Sequence, residues 1–421
     1  MTSLPPHYRR NFAAFMGDYV GFGLALAFAG ATTILPGFVS QLTDSKVVVG
    51  LLATVSNGAF LLPQLIFANL VTNKPRKKPY FNLGASLGRP LYLLYAVALW
   101  LGLGRNPALA LLVLFAIQII FQAGDALATV AWFDVMAKVI PGKRRGRLMG
   151  VSQVTRGVLA IGAGALIAFL LSESGPPFPH NYAAIFARAG GFLLFSLFSW
   201  TFVVEPDEPG EAGERPAWRD YLSHLLDTLR HDHAFRRLVT VRLLAGFEGL
   251  ALGFYVLFAI QRLGLPPGTV GLFTAAQTVG GILASLGLGV VTERIGSHRV
   301  IQIATALSMT APLVALGLLL SPIREGTLTT AIYAWVFLAI GAVANSVMLG
   351  FFNYLMELAP AGQRPTYIGL FNTIGGALVI LPTAGGWLLQ TTSYGVLFAL
   401  TAILLTLAHG LSWDLPSAHR R

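Results

Sequence analysis

The sequence predicts an all-α integral membrane protein of twelve transmembrane helices, arranged as two pseudo-symmetric six-helix bundles. Composition is the first reason: 55% of the residues are hydrophobic and 11% are charged, and the mean hydropathy is +0.68. A soluble chain of 421 residues could not cover its surface with so few charges. The second is the number of apolar segments of about 20 residues, the length that spans a bilayer core. The third is a motif written twice. Phe133-Asp134, followed by Pro141, Arg145 and Gly150, recurs as Phe352-Asn353, followed by Pro360, Arg364 and Gly369. Two further matches follow in the same order: Val49-Gly50-Leu51 with Val270-Gly271-Leu272, and Tyr182, Phe186-Ala187 with Tyr394, Phe398-Ala399. A module duplicated in this way is a signature of transporters.

The expected spans run Phe12 to Val39, Val47 to Val71, Phe81 to Leu103, Pro107 to Ala137, Arg147 to Leu171 and Tyr182 to Val204 in the first half. In the second they run Leu238 to Leu263, Thr269 to Val291, His298 to Leu320, Thr329 to Leu358, Arg364 to Gln390 and Tyr394 to Trp413. The first is too long for a signal-peptide core and has no small-residue cleavage site, so it is expected to remain as a span. Between the halves, residues 205–237 form the one long polar interruption. This gives an N-terminal bundle over 1–204, a linker and a C-terminal bundle over 238–421. The linker opens with Glu205-Pro206-Asp207-Glu208-Pro209-Gly210, a composition that cannot bury anything. From Trp218, the residues Leu222, Leu225, Leu226 and Leu229 fall at helical spacing, which predicts an amphipathic helix on the membrane surface.

The net charge of +11 would suit nucleic acid if it covered a soluble face. It sits instead in alternate loops: Lys74, Arg76, Lys77 and Lys78; then Lys143, Arg144, Arg145 and Arg147; then Arg294 and Arg299. The opposite loops carry little beyond Lys46, Arg105, Arg262 and Arg324. That asymmetry places the basic loops and both termini in the cytoplasm, with the chain in the cytoplasmic membrane. Cysteine is absent, which removes disulfides, thiol catalysis and cysteine metal sites. Walker A is also absent, so ATP does not drive this chain by itself. Gly84-Ala85-Ser86-Leu87-Gly88 fits the hydrolase elbow pattern but opens a membrane segment with no strand before it, and catalysis is discounted. His224, His231 and His233 read as hydrated linker residues rather than metal ligands. Gly280-Gly281, Gly375-Gly376 and Gly385-Gly386 read as close helix contacts or bending points.

After the eighth span stand Gly289, Glu293-Arg294, Gly296 and Arg299. A glycine, an acid-Arg pair, a second glycine and a basic residue resemble the loop signature of the major facilitator superfamily. The six-plus-six duplication and polar linker extend that resemblance over the whole chain. It implies a secondary transporter in which these residues, joined by Asp134 at the end of the fourth span, latch a cytoplasmic gate. The first-half copy of the signature has lost its acid, and Asp134 is expected to pair with Lys74. The resemblance also implies that the first, fourth, seventh and tenth spans line a central cavity.

Ionisable groups inside membrane helices are costly unless paired or hydrated, so each is a candidate for binding substrate or protons. On the fourth span Gln118, Gln122, Asp125 and Thr129 share one face, with Asp125 about 20 Å from the cytoplasmic end. Asp125 reads either as a substrate or proton site or as the structural partner of Arg156 on the fifth span, and the pair either as a static bridge or as a switch. Glu248 lies near the middle of the seventh span with Tyr255 one heptad on and no obvious basic residue at its depth. It reads as the leading proton carrier, or as a neutral, hydrogen-bonded carboxyl. Asp18 is shallower and fits a cap or a pair. Arg188 either snorkels outward or binds an anion. Together these features predict proton-coupled efflux of drugs or metabolites by alternating access, because a mainly apolar cavity with a few carboxylates suits amphipathic and cationic solutes. Carriers for sugars, organic anions or lipids, and a non-transporting sensor, are the alternatives. No enzymatic activity, cofactor or metal is expected. The expected partners are a small-molecule substrate, protons and the lipid bilayer, and the protein is expected to be a monomer.

Overall fold

The computed structural model describes residues 5–72, 74–206, 232–322, 326–359, 367, 371 and 375–416. The amphipathic helix expected from Trp218, His224 and His231 of the linker, and Pro360, Arg364 and Gly369 of the second loop copy lie outside the described residues. Within them every regular element is helical. In order, these are α1 (Tyr8–Phe28), α2 (Ile34–Leu42), α3 (Lys46–Thr72), α4 (Lys78–Gly88), α5 (Leu91–Trp100), α6 (Pro107–Val139), α7 (Gly142–Leu170) and α8 (His180–Thr201). There follow α9 (His233–Gly246), α10 (Tyr255–Gln261), α11 (Thr269–Ile295), α12 (Ser297–Leu320), α13 (Thr327–Ser346), α14 (Asn353–Leu358), α15 (Leu381–Thr391) and α16 (Tyr394–Ser412).

Among the described residues ten helical stretches are long and apolar enough to cross a membrane. The third span, α4 plus α5, and the eleventh, around α15, are broken into shorter pieces and complete the twelve. In the third span the break is chemical. Pro90 has no N–H to give to the helical ladder, so α4 ends at Gly88 and α5 restarts at Leu91, leaving Arg89 at the turn.

The chain divides into two compact units: Met1–Asp44, Leu52–Gly213 and Pro267–Ala275 in one, and Ser45–Leu51, Glu214–Pro266 and Ala276–Arg421 in the other. This differs from a simple cut at the linker in the two short exchanged segments. The linker is also shorter than expected at both ends. The Asp232 carboxylate accepts from the N–H groups of Ala234 and Phe235, both at 3.0 Å, and so starts α9 at His233. At the other end the Glu205 carboxylate is 2% exposed and accepts from the backbone N–H groups of Lys77 and Lys78 at 2.7–2.9 Å. The expectation that Glu205 opens a fully solvated stretch is therefore incorrect: it caps α4, where the helix dipole favours an anion.

In the first unit α1 packs on α7 and α8, α4 on α6, and α5 on α8. Phe15, Phe81, Trp132 and Trp200 form its buried aromatic centre, with Phe81 stacked on Trp200 at 3.8 Å between ring centroids. The α4 and α6 backbones touch, because a Cβ on Gly84 would overlap the Gly124 carbonyl and a Cβ on Gly88 would overlap the Phe121 backbone. The Gly84–Gly88 pair that mimics a hydrolase elbow is thus a small-residue helix crossing. In the second unit α12 packs on α13 and α16, and α9 on α16. Its Gly280 and Gly341 make a similar backbone crossing between α11 and α13. Gly385 and Gly386 press on the backbones at Leu250 and Lys46, as the paired-glycine reading expects, whereas Gly375 and Gly376 face open space.

Gly84→Leu is expected to force α4 off α6 and to destabilise the protein by about 1–3 kcal/mol, the usual range for overpacking. Thermal unfolding in detergent followed by light scattering reads this, with Gly162→Ala, where an added Cβ meets nothing, as the neutral control. Equal behaviour of the two variants would refute the crossing.

Candidate substrate and proton site

The α4–α6 crossing sets the geometry of the candidate site. Gly88 and Gly124, both at the crossing, are each followed by a charged residue, Arg89 and Asp125. Arg89 reaches across the first unit: its Nη1 donates to Asp18 Oδ1 on α1 at 2.9 Å and to Ser196 Oγ on α8 at 2.6 Å. Its Nη2 lies 3.9 Å from Asp125 Oδ1. The guanidinium sits over the rings of Phe22 and Phe81, at 5.1 and 4.9 Å from their centroids. Asp18 is the better-held carboxylate, since Oδ2 also accepts from Trp132 Nε1 at 2.8 Å and Oδ1 from Ser196 Oγ at 2.5 Å.

Asp18 and Arg89 are each 3% exposed and cancel one another's charge. Asp125 is left with the long ion pair and no hydrogen bond among the described residues. It borders a cavity of about 230 Å³. Asp18 and Arg89 also line that cavity, together with the rings of Tyr19, Phe22, Phe81, Trp132 and Phe133, and with Thr129 and Met149. The site therefore joins one fixed carboxylate, one loosely held carboxylate and a guanidinium between them, against an aromatic wall. A proton on Asp125 removes its claim on Arg89; without the proton the claim returns.

Of the polar stripe on α6, the structure brings Asp125 and Thr129 to the cavity. Gln118 is buried elsewhere, its Nε2 donating to the Tyr92 hydroxyl at 3.0 Å, and Gln122 does not line the cavity. The expected Asp125–Arg156 pair is absent. Arg156 lies along Gly23 with its guanidinium 5.7 Å from the Tyr19 ring, while Tyr19 donates to Gln153 at 2.8 Å. Arg89 takes the place expected of Arg156 because the glycine crossing brings α4 closer to Asp125. Asp18, read as a cap or pair near the cytoplasm, is the anchor of the network. Arg188 donates to the Ala184 carbonyl of its own helix at 2.8 Å.

In the second unit the seventh span is not one helix. Glu248 lies in a 3₁₀ turn, Phe247–Leu250, between α9 and α10, so it and Tyr255 do not sit one heptad apart on a continuous face. Arg242 stands on α9 of the same span, with its guanidinium over the rings of Phe351 and Phe371. Tyr255 is fully buried and stacked on Phe398 at 5.2 Å, and its hydroxyl has no hydrogen-bond partner among the described residues. Around the loop signature, Gly289 faces open space, and Glu293 and Arg294 are exposed without partners among the described residues. Gly296 supplies the turn between α11 and α12 at φ +102°, a conformation that favours glycine. Arg299 donates to Gln302 at 2.8 Å and covers the Trp413 ring at 5.4 Å.

Asp134 pairs with Lys77 at 3.8 Å and Lys138 at 3.7 Å rather than with Lys74. Lys138 also reaches Glu205 at 3.2 Å, and Lys77 donates to the Val71 carbonyl at 2.6 Å. Burial pulls the Lys77 ammonium below the ordinary lysine range, against the opposing pull of Asp134 and Glu205. Glu205 thus brings an acid to the loop whose own signature acid is missing.

The sequence profile of the Major Facilitator Superfamily matches residues 19–381. The chain belongs to the major facilitator superfamily. A curated relative, the uncharacterized MFS-type transporter YfkF of Bacillus subtilis strain 168, is 25% identical over 309 residues, covering 69% of this chain and 70% of its own. Among solved structures, the fold is similar to a bacterial homologue of the iron transporter ferroportin in an inward-facing state (TM-score 0.67, 17% identity, 97% of this chain and 98% of that one). It is similar also to the nucleoside transporter NupG (0.65, 13%, 96% and 99%), and to a D-xylose–proton symporter (0.67, 16%, 98% and 98%). At these identities the likeness establishes the fold alone. As a superfamily member, the chain is a multi-pass membrane protein of a family that carries small-molecule substrates.

Arg89→Gln leaves Asp18 buried without its cation and is expected to destabilise the protein by about 3–5 kcal/mol. Asp125→Asn, which removes only the long pair, is expected to cost little. Thermal unfolding of the two purified variants checks the order; equal losses would contradict the assignment of Asp18 as the anchored partner.

Proposed function

We propose that the protein is a proton-coupled secondary transporter, a carrier rather than an enzyme, which exports amphipathic metabolites or drugs by alternating access. The observation that carries this reading is the Arg89 guanidinium set between two carboxylates, one hydrogen-bonded on all sides and one open to an aromatic-lined cavity. Asp125 binds the proton. Protonation frees Arg89 to serve Asp18 and Ser196 alone, and deprotonation draws it back toward Asp125. The rings of Tyr19, Phe22 and Trp132 hold the apolar part of a solute beside that switch.

The basic loops support an orientation with both termini on the cytoplasmic side of the cytoplasmic membrane. The segment Gly289, Glu293, Arg294, Gly296 and Arg299 then serves as a cytoplasmic gate, with Asp134 in the corresponding region of the first half. A similar structure, the D-xylose–proton symporter, is named for proton coupling. Others are named for iron and nucleosides, so the fold does not choose the solute. The apolar, aromatic wall favours amphipathic compounds over sugars.

Reconstituted into proteoliposomes, the wild type is expected to move amphipathic solutes against their gradient when a pH gradient is imposed. Asp125→Asn is expected to lose that gradient-driven movement and keep counterflow of the same solute. Unchanged gradient dependence in Asp125→Asn would exclude coupling through this residue. Binding without flux for any solute would favour the sensor.

A further inference from the structure

We propose that Arg242, Glu248 and Tyr255 of the second unit form a receptor for the carboxylate group of an amphipathic organic acid, which binds best when Glu248 carries a proton. The proposal names a substrate class and rests on the transporter reading above. Three irregular helical segments stand around these residues. The 3₁₀ turn Phe247–Leu250 carries Glu248, a second 3₁₀ turn spans Ala377–Ile380, and a π-helical segment runs Val347–Phe352. The first two pack on one another, and the first also packs on α15. Irregular backbone at membrane depth survives where it is enclosed by protein or lines a cavity, and such breaks mark solute sites in transporters.

Among the described residues the side chains of Arg242, Glu248 and Tyr255 make no hydrogen bond. Arg242 makes no ion pair among them either, and its Nε is buried without a partner. Tyr255 is fully buried. A guanidinium inside a membrane span with none of its donors used is held at a cost that a ligand anion would remove. The Arg242 guanidinium lies over the rings of Phe351 and Phe371, at 5.7 and 6.0 Å from their centroids. A guanidinium carries a planar fork of donors that matches a carboxylate bidentately. The same rings offer an apolar surface to the body of the acid.

Charge balance brings in the proton. Arg242 and Glu248 sum to zero, so an entering carboxylate leaves one uncompensated negative charge unless Glu248 is protonated. Of the titratable groups on the elements packed against its turn, α9 carries His233, Arg236, Arg237 and Arg242, and α16 carries Tyr394 and His409. Neither α15 nor the Ala377–Ile380 turn carries any. Arg242 is the one that acts on Glu248. The Glu248 proton therefore favours the bound acid, and binding weakens as pH rises.

Phenylbutyrate, phenylbutyramide and phenylbutylamine, matched in shape and differing in charge, test this on the purified full-length protein by thermal shift and by counterflow in proteoliposomes. Phenylbutyrate alone is expected to stabilise the protein, more at acidic than at alkaline pH. Arg242→Gln is expected to weaken its binding by about tenfold or more, as loss of a charge-assisted contact does. Should that variant fail to fold, Glu248→Gln serves instead, expected to bind phenylbutyrate with no dependence on pH. Equal stabilisation by the amide, no stabilisation by the acid at any pH, or an unaltered pH dependence in Glu248→Gln would overturn the proposal. If phenylbutyrate fails while other solutes still move in an Asp125-dependent way, the receptor is wrong and the transporter reading stands. If phenylbutyrate binds through Arg242 but nothing is transported, the receptor stands and the transporter reading fails.

Discussion

A buried cation must be neutralised, and in the first unit the one that matters is Arg89. Held 3% exposed at the break in the third span, it would not survive without Asp18 at 2.9 Å; a lone charge in such surroundings costs several kcal/mol. The rest of the unit is arranged to keep that pair together. Trp132 and Ser196 hold Asp18, Phe22 and Phe81 cover the guanidinium faces, and Pro90 breaks the third span at the turn where Arg89 emerges. Asp125 enters as a second, weaker claimant on the same cation. In the proposed mechanism a proton on the weak claimant shifts the balance without dismantling the strong one.

Glycine makes the arrangement possible. Backbone contact at Gly84, Gly88 and Gly124 brings α4 close enough to α6 for Arg89 and Asp125 to share a wall of the cavity. The same device recurs in the second unit at Gly280 and Gly341. There, however, the helices are interrupted by 3₁₀ and π turns around Glu248 and Phe351, and Arg242 and Glu248 make no hydrogen bonds among the described residues. The duplicated module thus carries different chemistry in its two copies: an ion-pair network beside a cavity in one, and a guanidinium over two phenyl rings in the other.

Much of the fold was legible, because span length, positive loops and a repeated motif all report the bilayer directly. Asp125, Asp18, Glu248 and Tyr255 stand out as candidates for the same reason, each being polar or ionisable within an apolar segment. Their partners do not. Arg89 and Arg242 meet the same criterion as Asp125, yet Arg89 stands beside a glycine pattern that suggested a hydrolase elbow, and Arg242 close to the expected start of its span. Arg156 looked closer to Asp125 by depth, but depth along a helix does not give rotation or helix spacing, and glycine contacts decided both. Glu205 was misjudged from its Pro-rich neighbours, since composition describes a segment and its capping bond belongs to a single residue.

The central proposal is that Asp125 takes up and releases the proton. Infrared difference spectroscopy of the reconstituted protein, taken between alkaline and acidic pH, tests it most directly. The expected result is a protonated-carboxyl band that is lost in Asp125→Asn. A band unchanged in Asp125→Asn and lost in Asp18→Asn would contradict it.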